Sequence, residues 1–256
     1  MTLQVNRGIV ASQDVNKNVT TKARTSNLKK KKETVRAYSP KTAAKEAGMT
    51  TEEILHILQK DIHSTIMATI DEEGLPVTCV IDMMLSDEGG LYFLTARGKA
   101  FYERLMQRGF VAVTGLKGED TMSSVSVNLR GKVRNIGKER LAEIFEKNPY
   151  MMQIYPTEIS RDALEVFQIY EAAGELFDLS QKPIFRQSFS YGNVQTRKTG
   201  YQILADKCIG CGRCEEVCPQ NCISGDCPKV IDQSHCLHCG NCFRECPIQA
   251  VVRLGA

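Results

Sequence analysis

From Thr50 onward the apolar positions fall into short runs with two different rhythms. Ile54, Leu55 and Leu58 stand at helical spacing behind Thr50, Glu52 and Glu53, an N-cap with an acidic first turn, which predicts a helix ending near Lys60. Five segments rich in β-branched and aromatic residues follow, at 64–71, 75–85, 90–96, 110–116 and 123–136, and each predicts a strand. Glu73-Gly74 and Gly89-Gly90 punctuate them as hairpin turns. Helices are expected at 99–108, with Phe101, Leu105 and Met106 on one side, at 138–148, and over roughly 160–171, before returning strands within 174–190. That order, β-β-β-α-β-β-α-α-β, fits an α+β domain: a small antiparallel barrel with helices packed outside.

The polar, aperiodic stretch 191–200 (YGNVQTRKTG) then breaks the pattern and marks a linker. Four regions result: a tail at 1–48, the barrel at 49–190, the linker at 191–200 and a cysteine-bearing module at 201–256. That module holds ten of the chain's eleven cysteines.

Charge changes the picture only at the front. Residues 1–48 carry eleven Lys and Arg against Asp14, Glu33 and Glu46, a net of +8, which leaves −5 on the other residues of a chain whose overall charge is +3. The tail is rich in Asn, Thr, Ser and Lys without apolar periodicity, the composition of a segment expected to be disordered. Its run Lys29-Lys30-Lys31-Lys32 reads as a solvated charge run rather than a nucleic-acid contact. No stretch is apolar enough for a membrane span or a secretory signal, so a cytoplasmic protein is expected, and in that reducing compartment clustered cysteines point to metal or redox chemistry.

The cysteines are written as a repeat. Cys208-x2-Cys211-x2-Cys214-x3-Cys218-Pro219 recurs 28 residues later as Cys236-x2-Cys239-x2-Cys242-x3-Cys246-Pro247. Three thiolates two residues apart can hold three iron corners of one cubane, and the fourth, on a chain heading away, reaches the other cluster. One cluster then takes Cys208, Cys211, Cys214 and Cys246, and the second takes Cys236, Cys239, Cys242 and Cys218. Gly210, Gly212 and Gly240 let the backbone curl and aim N–H groups at sulfur. Zinc is the competing reading, but two separated pairs close a tetrahedral zinc site, whereas this spacing leaves thiols unused. Cys222 maps onto Ala250 in the repeat and is expected to be a buried, inert thiol; Cys227, the isolated Cys79, His235 and His238 receive no ligand role.

The module resembles bacterial dicluster ferredoxins carrying two [4Fe–4S] centres, with all eight ligand positions present. Residues 50–190 resemble the pyridoxamine 5′-phosphate oxidase-like split β-barrels in strand order, in GLPVTCVIDMML, in YFLTARGK and in SVNLRGKVRNI. From the residues alone, Thr95, Arg97, Lys99 and a helix start gather a hydroxyl, two cations and free N–H groups, as a phosphate site needs. The resemblance implies that these residues hold the phosphate of FMN at a homodimer interface, and that Ser126 and Asn128 approach the isoalloxazine edge. True members of the oxidase carry basic residues along the second strand, where this chain reads Val77-Thr78-Cys79-Val80-Ile81-Asp82. The vitamin B6 reaction is therefore not assigned, and the family also includes deazaflavin and haem binders. The expectation is an oxidoreductase that passes electrons between FMN and two [4Fe–4S] clusters, serving a redox partner protein or a small-molecule donor or acceptor, with no side chain required as acid, base or nucleophile. The alternative is a ferredoxin-type carrier whose barrel serves only as a docking or dimerisation scaffold.

Overall fold

The computed structural model describes residues 48–255, so the basic tail, apart from Gly48, lies outside the described residues. At Thr50 a capping box starts the first helix: the Thr50 hydroxyl accepts from the Glu53 amide, and the Glu53 carboxylate accepts from the Thr50 amide at 2.7 Å. Helix α1 (Thr51–His56) runs on as a π-helical segment, Ile57–Ile62, two residues beyond the expected end.

The strands β1 (Ser64–Ile70), β2 (Pro76–Asp82), β3 (Leu85–Asp87), β4 (Gly90–Ala96), β5 (Phe110–Lys117), β6 (Val125–Asn135), β7 (Leu164–Asp178) and β8 (Phe185–Tyr191) form one antiparallel sheet. Its order is β2-β1-β5-β6-β7-β4-β3, with β8 sharing the edge of β7 that β4 uses further back. Helices α2 (Ala100–Arg108), α3 (Leu141–Lys147), α4 (Met151–Ile154) and α5 (Glu158–Arg161) flank it. Along β5 and β6, Val111, Val113, Val127, Leu129 and Val133 point inward while Asn128, Arg130 and Lys132 point out, the period of two that one buried face demands. The inward side chains share a core with Met67, Leu91, Leu176 of β7 and a stacked Phe93–Phe167 pair, whose ring centroids lie 5.6 Å apart.

Two expectations change here. The single strand expected over 75–85 breaks at Met83 and Met84, both buried, where the chain leaves its pairing with β1 and turns to pair with β4 as β3. The helix expected over 160–171 is only the short α5, and the rest is the first half of the fifteen-residue β7. That half is covered on both faces. Phe167 and Ile169 face the barrel core, while Leu164 and Val166 face a second core built with Ile144, Phe145 and Met151 of α3 and α4. A strand buried on both sides loses its alternation and reads like a buried helix.

Residues 192–199 carry no helix or strand. Beyond them β9 (Gly200–Ile203) pairs with β12 (Val251–Leu254), and β10 (Ile223–Ser224) pairs with β11 (Val230–Ile231). Helices α6 (Arg213–Glu216) and α7 (Asn241–Glu245) each follow a left-handed glycine, Gly212 at φ +81° and Gly240 at φ +79°. Asn221 and Gln249, again 28 residues apart, share φ values of +52° and +53°, so the sequence repeat is also a backbone repeat. Barrel and cysteine module lie within one compact unit. No helix among the described residues is long and apolar enough to cross a membrane.

Candidate functional site: two thiol cavities beside a barrel

The cysteines ring two cavities. Cys208, Cys211, Cys214 and Cys246 line one, with Ile203, Ile248 and Val251. Cys218, Cys236, Cys239 and Cys242 line the other, with Tyr201, Ile223 and Ile231. The fourth cysteine of each motif therefore stands at the cavity of the other motif. Among the described residues no three His, Cys, Asp or Glu side chains converge as they would on a single ion. Four thiols around an apolar-walled cavity fit a polynuclear cluster instead.

Backbone N–H groups support the sulfurs. Ala250 donates to Cys246 Sγ at 3.2 Å, His238 to Cys236 Sγ at 3.4 Å and Lys229 to Cys208 Sγ at 3.5 Å. Donation from Lys229 and Gly210 holds the Cys208 thiol below its ordinary range, whereas burial pushes Cys242 up to about 11. Loading iron displaces those protons, because the thiolate is the ligand.

Cys222 is buried, as its apolar neighbours imply, but it is not set apart. It lines the second cavity, and its Sγ lies 3.5 Å from Cys218 Sγ. A hydrogen bond with Cys236 raises the Cys222 thiol and lowers that of Cys236. The second cavity thus has five thiols and the first has four. The only sequence signal was the i, i+4 spacing from Cys218.

At the β4–α2 end of the barrel, Thr95 is buried and its Oγ1 has no hydrogen-bond partner. Lys99 is the N-cap of α2, with no side-chain cap bond there. Arg97 is already engaged: it pairs with Asp162 at 3.0 Å and Glu165 at 3.2 Å, and Glu165 also accepts from Tyr102 and Asn135. Arg104 donates to Thr69 Oγ1 at 2.8 Å. Burial raises the Cys79 thiol while Arg104 and Lys99 oppose that rise, which places both cations near it. An unpartnered hydroxyl, a lysine and a helix start fit an anionic phosphate. Sequence reasoning missed Thr69 and Arg104, which lie on separate elements.

Ser126 and Asn128 lie elsewhere. Asn128 Oδ1 accepts from Thr114 at 2.9 Å and lines a cavity of about 620 Å³ between the outer sheet face and residues 194–199. Thr95 stands opposite Glu165 on β7, Asn128 opposite Glu175 and Ser126 opposite Phe177. Ten residues of strand, about 33 Å of chain at ~3.3 Å each, separate the first two. Within one chain the two residue groups do not converge.

Residues 50–173 match the pyridoxamine 5′-phosphate oxidase family, and residues 201–224 and 229–252 each match the 4Fe-4S binding domain. The chain joins a split barrel of that oxidase type to an iron–sulfur module of ferredoxin type. No curated protein matches it. Similar solved structures include a NimC/NimA family protein from Clostridium acetobutylicum, 18% identical over 54% of this chain and 91% of that one, with a TM-score of 0.46. The heme storage protein HutZ from Vibrio cholerae is 12% identical over 48% of this chain and 90% of that one, at 0.39. A heme binding protein from Mycobacterium smegmatis is 13% identical over 56% of this chain and 59% of that one, at 0.44.

Proposed function

We propose that this protein is an oxidoreductase coupling FMN in the barrel to two [4Fe–4S] clusters in the cysteine module. The observation that carries the reading is the pair of complete cysteine tetrads, each closed by the other motif's fourth cysteine, in the same compact unit as the barrel. Bound FMN would supply exchange between electron pairs and single electrons, and the clusters would take one electron each. Thr95, Lys99 and the start of α2 would hold the phosphate, with Arg97 steadied beside them by Asp162 and Glu165. Ser126 and Asn128 would reach the same flavin from a second copy of the chain, which is why the reading includes a homodimer.

The carrier alternative draws support from one observation, the commitment of Arg97 to two carboxylates. Iron, sulfide and flavin counts on anaerobically purified protein separate the two. The coupled reading expects about eight irons, from two four-iron clusters, and one FMN per chain. Full iron with no flavin, even after reconstitution with FMN, would leave a ferredoxin on a scaffold.

A further inference from the structure

The second cysteine motif carries a histidine where the first carries a glycine. Gly210 follows Cys208 by two residues and has φ +67°; its counterpart in the repeat is His238, at φ +55°. A side chain rarely occupies this region unless its surroundings hold it there. Gly200 makes room for the ring, since a Cβ at that position would lie 2.5 Å from His238 Nε2.

What holds the ring is the barrel. Arg186 of β8 donates from Nη1 to His238 Nδ1 at 2.8 Å. The same guanidinium pairs with Glu175 of β7 at 3.0 Å and lies over the Phe177 ring, 4.7 Å from its centroid. Nearby, His235 Nδ1 donates to the Ile184 carbonyl at 2.7 Å. Among the described residues, these two bonds are the side-chain hydrogen bonds joining the barrel to the module, and both fall on the second motif.

We infer that the cluster held by Cys218, Cys236, Cys239 and Cys242 is the barrel-facing one, and that Arg186 is a positioning residue that fixes its Cys236–Cys239 loop through His238 and raises its reduction potential. Reduction adds one electron, taking the cluster from [4Fe–4S]2+ to [4Fe–4S]+, and a fixed cation favours the more negative form. The inference rests on the iron–sulfur half of the proposed function and needs no flavin.

The test is an anaerobic redox titration with dithionite, followed by electron paramagnetic resonance, on the full chain. R186Q is expected to lower one of the two potentials and leave the other in place, and R186K to restore it. E175Q, which removes the counter-charge from Arg186, is expected to raise that same potential. Unmoved potentials, equal movement of both, or R186K behaving as R186Q would overturn the inference. If R186Q fails to fold, the sign of the E175Q shift decides. An iron assay beforehand separates the two claims: a wild-type chain without iron would overturn the proposed function as well, whereas loaded clusters with unmoved potentials would overturn this inference alone.

Discussion

The Sγ atoms of Cys218 and Cys222 lie 3.5 Å apart, which puts a fifth thiol against a cysteine of the second cavity. The repeat has no equivalent at the first cavity, where Ala250 occupies the matching position. A protonated thiol there can donate to ligand sulfur and favour the reduced cluster. C222A should therefore keep its full iron content and lower the potential of one cluster. Loss of half the iron in C222A would make Cys222 a ligand instead of a donor.

The cations of the proposed phosphate site should differ in importance. Lys99 has no ion pair among the described residues, whereas Arg97 has two carboxylate partners. A hydrogen bond to a charged group contributes about 1.5–3 kcal/mol, so K99A should weaken FMN binding by about 10- to 140-fold. R97A should weaken it several-fold less. Fluorescence titration of flavin-free protein with FMN reads both, and equal losses would contradict this ranking.

The proposed dimer has an exposed apolar surface to use. Ile66, Val80 and Leu116 are 54%, 67% and 63% exposed on the adjacent strands β1, β2 and β5, with Ile66 directly opposite Val80. Contiguous exposed apolar area of this kind marks an interaction surface. The double variant I66K/V80K should sediment as a monomer and lose flavin while retaining iron. A dimer that survives both lysines would place the interface elsewhere.

Acid should weaken the region around α3. Glu143 accepts from Arg140 and Lys147, and these bonds hold its carboxyl down at about 2 from an ordinary 4.5. A depressed carboxylate contributes stability that is present above its unfolded pKa and is lost as pH falls through the folded one. The stability gap between wild type and E143Q should be full at pH 7 and shrink between about pH 4.5 and 2. Urea midpoints followed by circular dichroism at about pH 7 and about pH 3 measure it, and a gap independent of pH would contradict the assignment.

The cysteine module was legible because its pattern is local: eight cysteines fall at fixed spacings, and the 28-residue shift recurs in backbone angles at Asn221 and Gln249. The half-exposed strands were legible for a related reason, since β5 and β6 alternate cleanly. β7 was not, because cores on both faces erase the period across Leu164, Val166, Phe167 and Ile169. Arg186 and His238 gave no signal, being 52 residues apart and meeting only when β8 folds against the second motif. Arg97 looked available because Asp162 and Glu165 reach it from more than sixty residues away.

Flash reduction of flavin bound to anaerobic, fully loaded protein, with absorbance followed in flavin and cluster bands, reads electron transfer between barrel and cysteine module. Coupling within the molecule makes the flavin signal decay as a cluster bleaches, at a first-order rate that does not change with protein concentration. A flavin that decays without cluster bleaching, or at a rate proportional to protein concentration, would contradict coupling within the molecule.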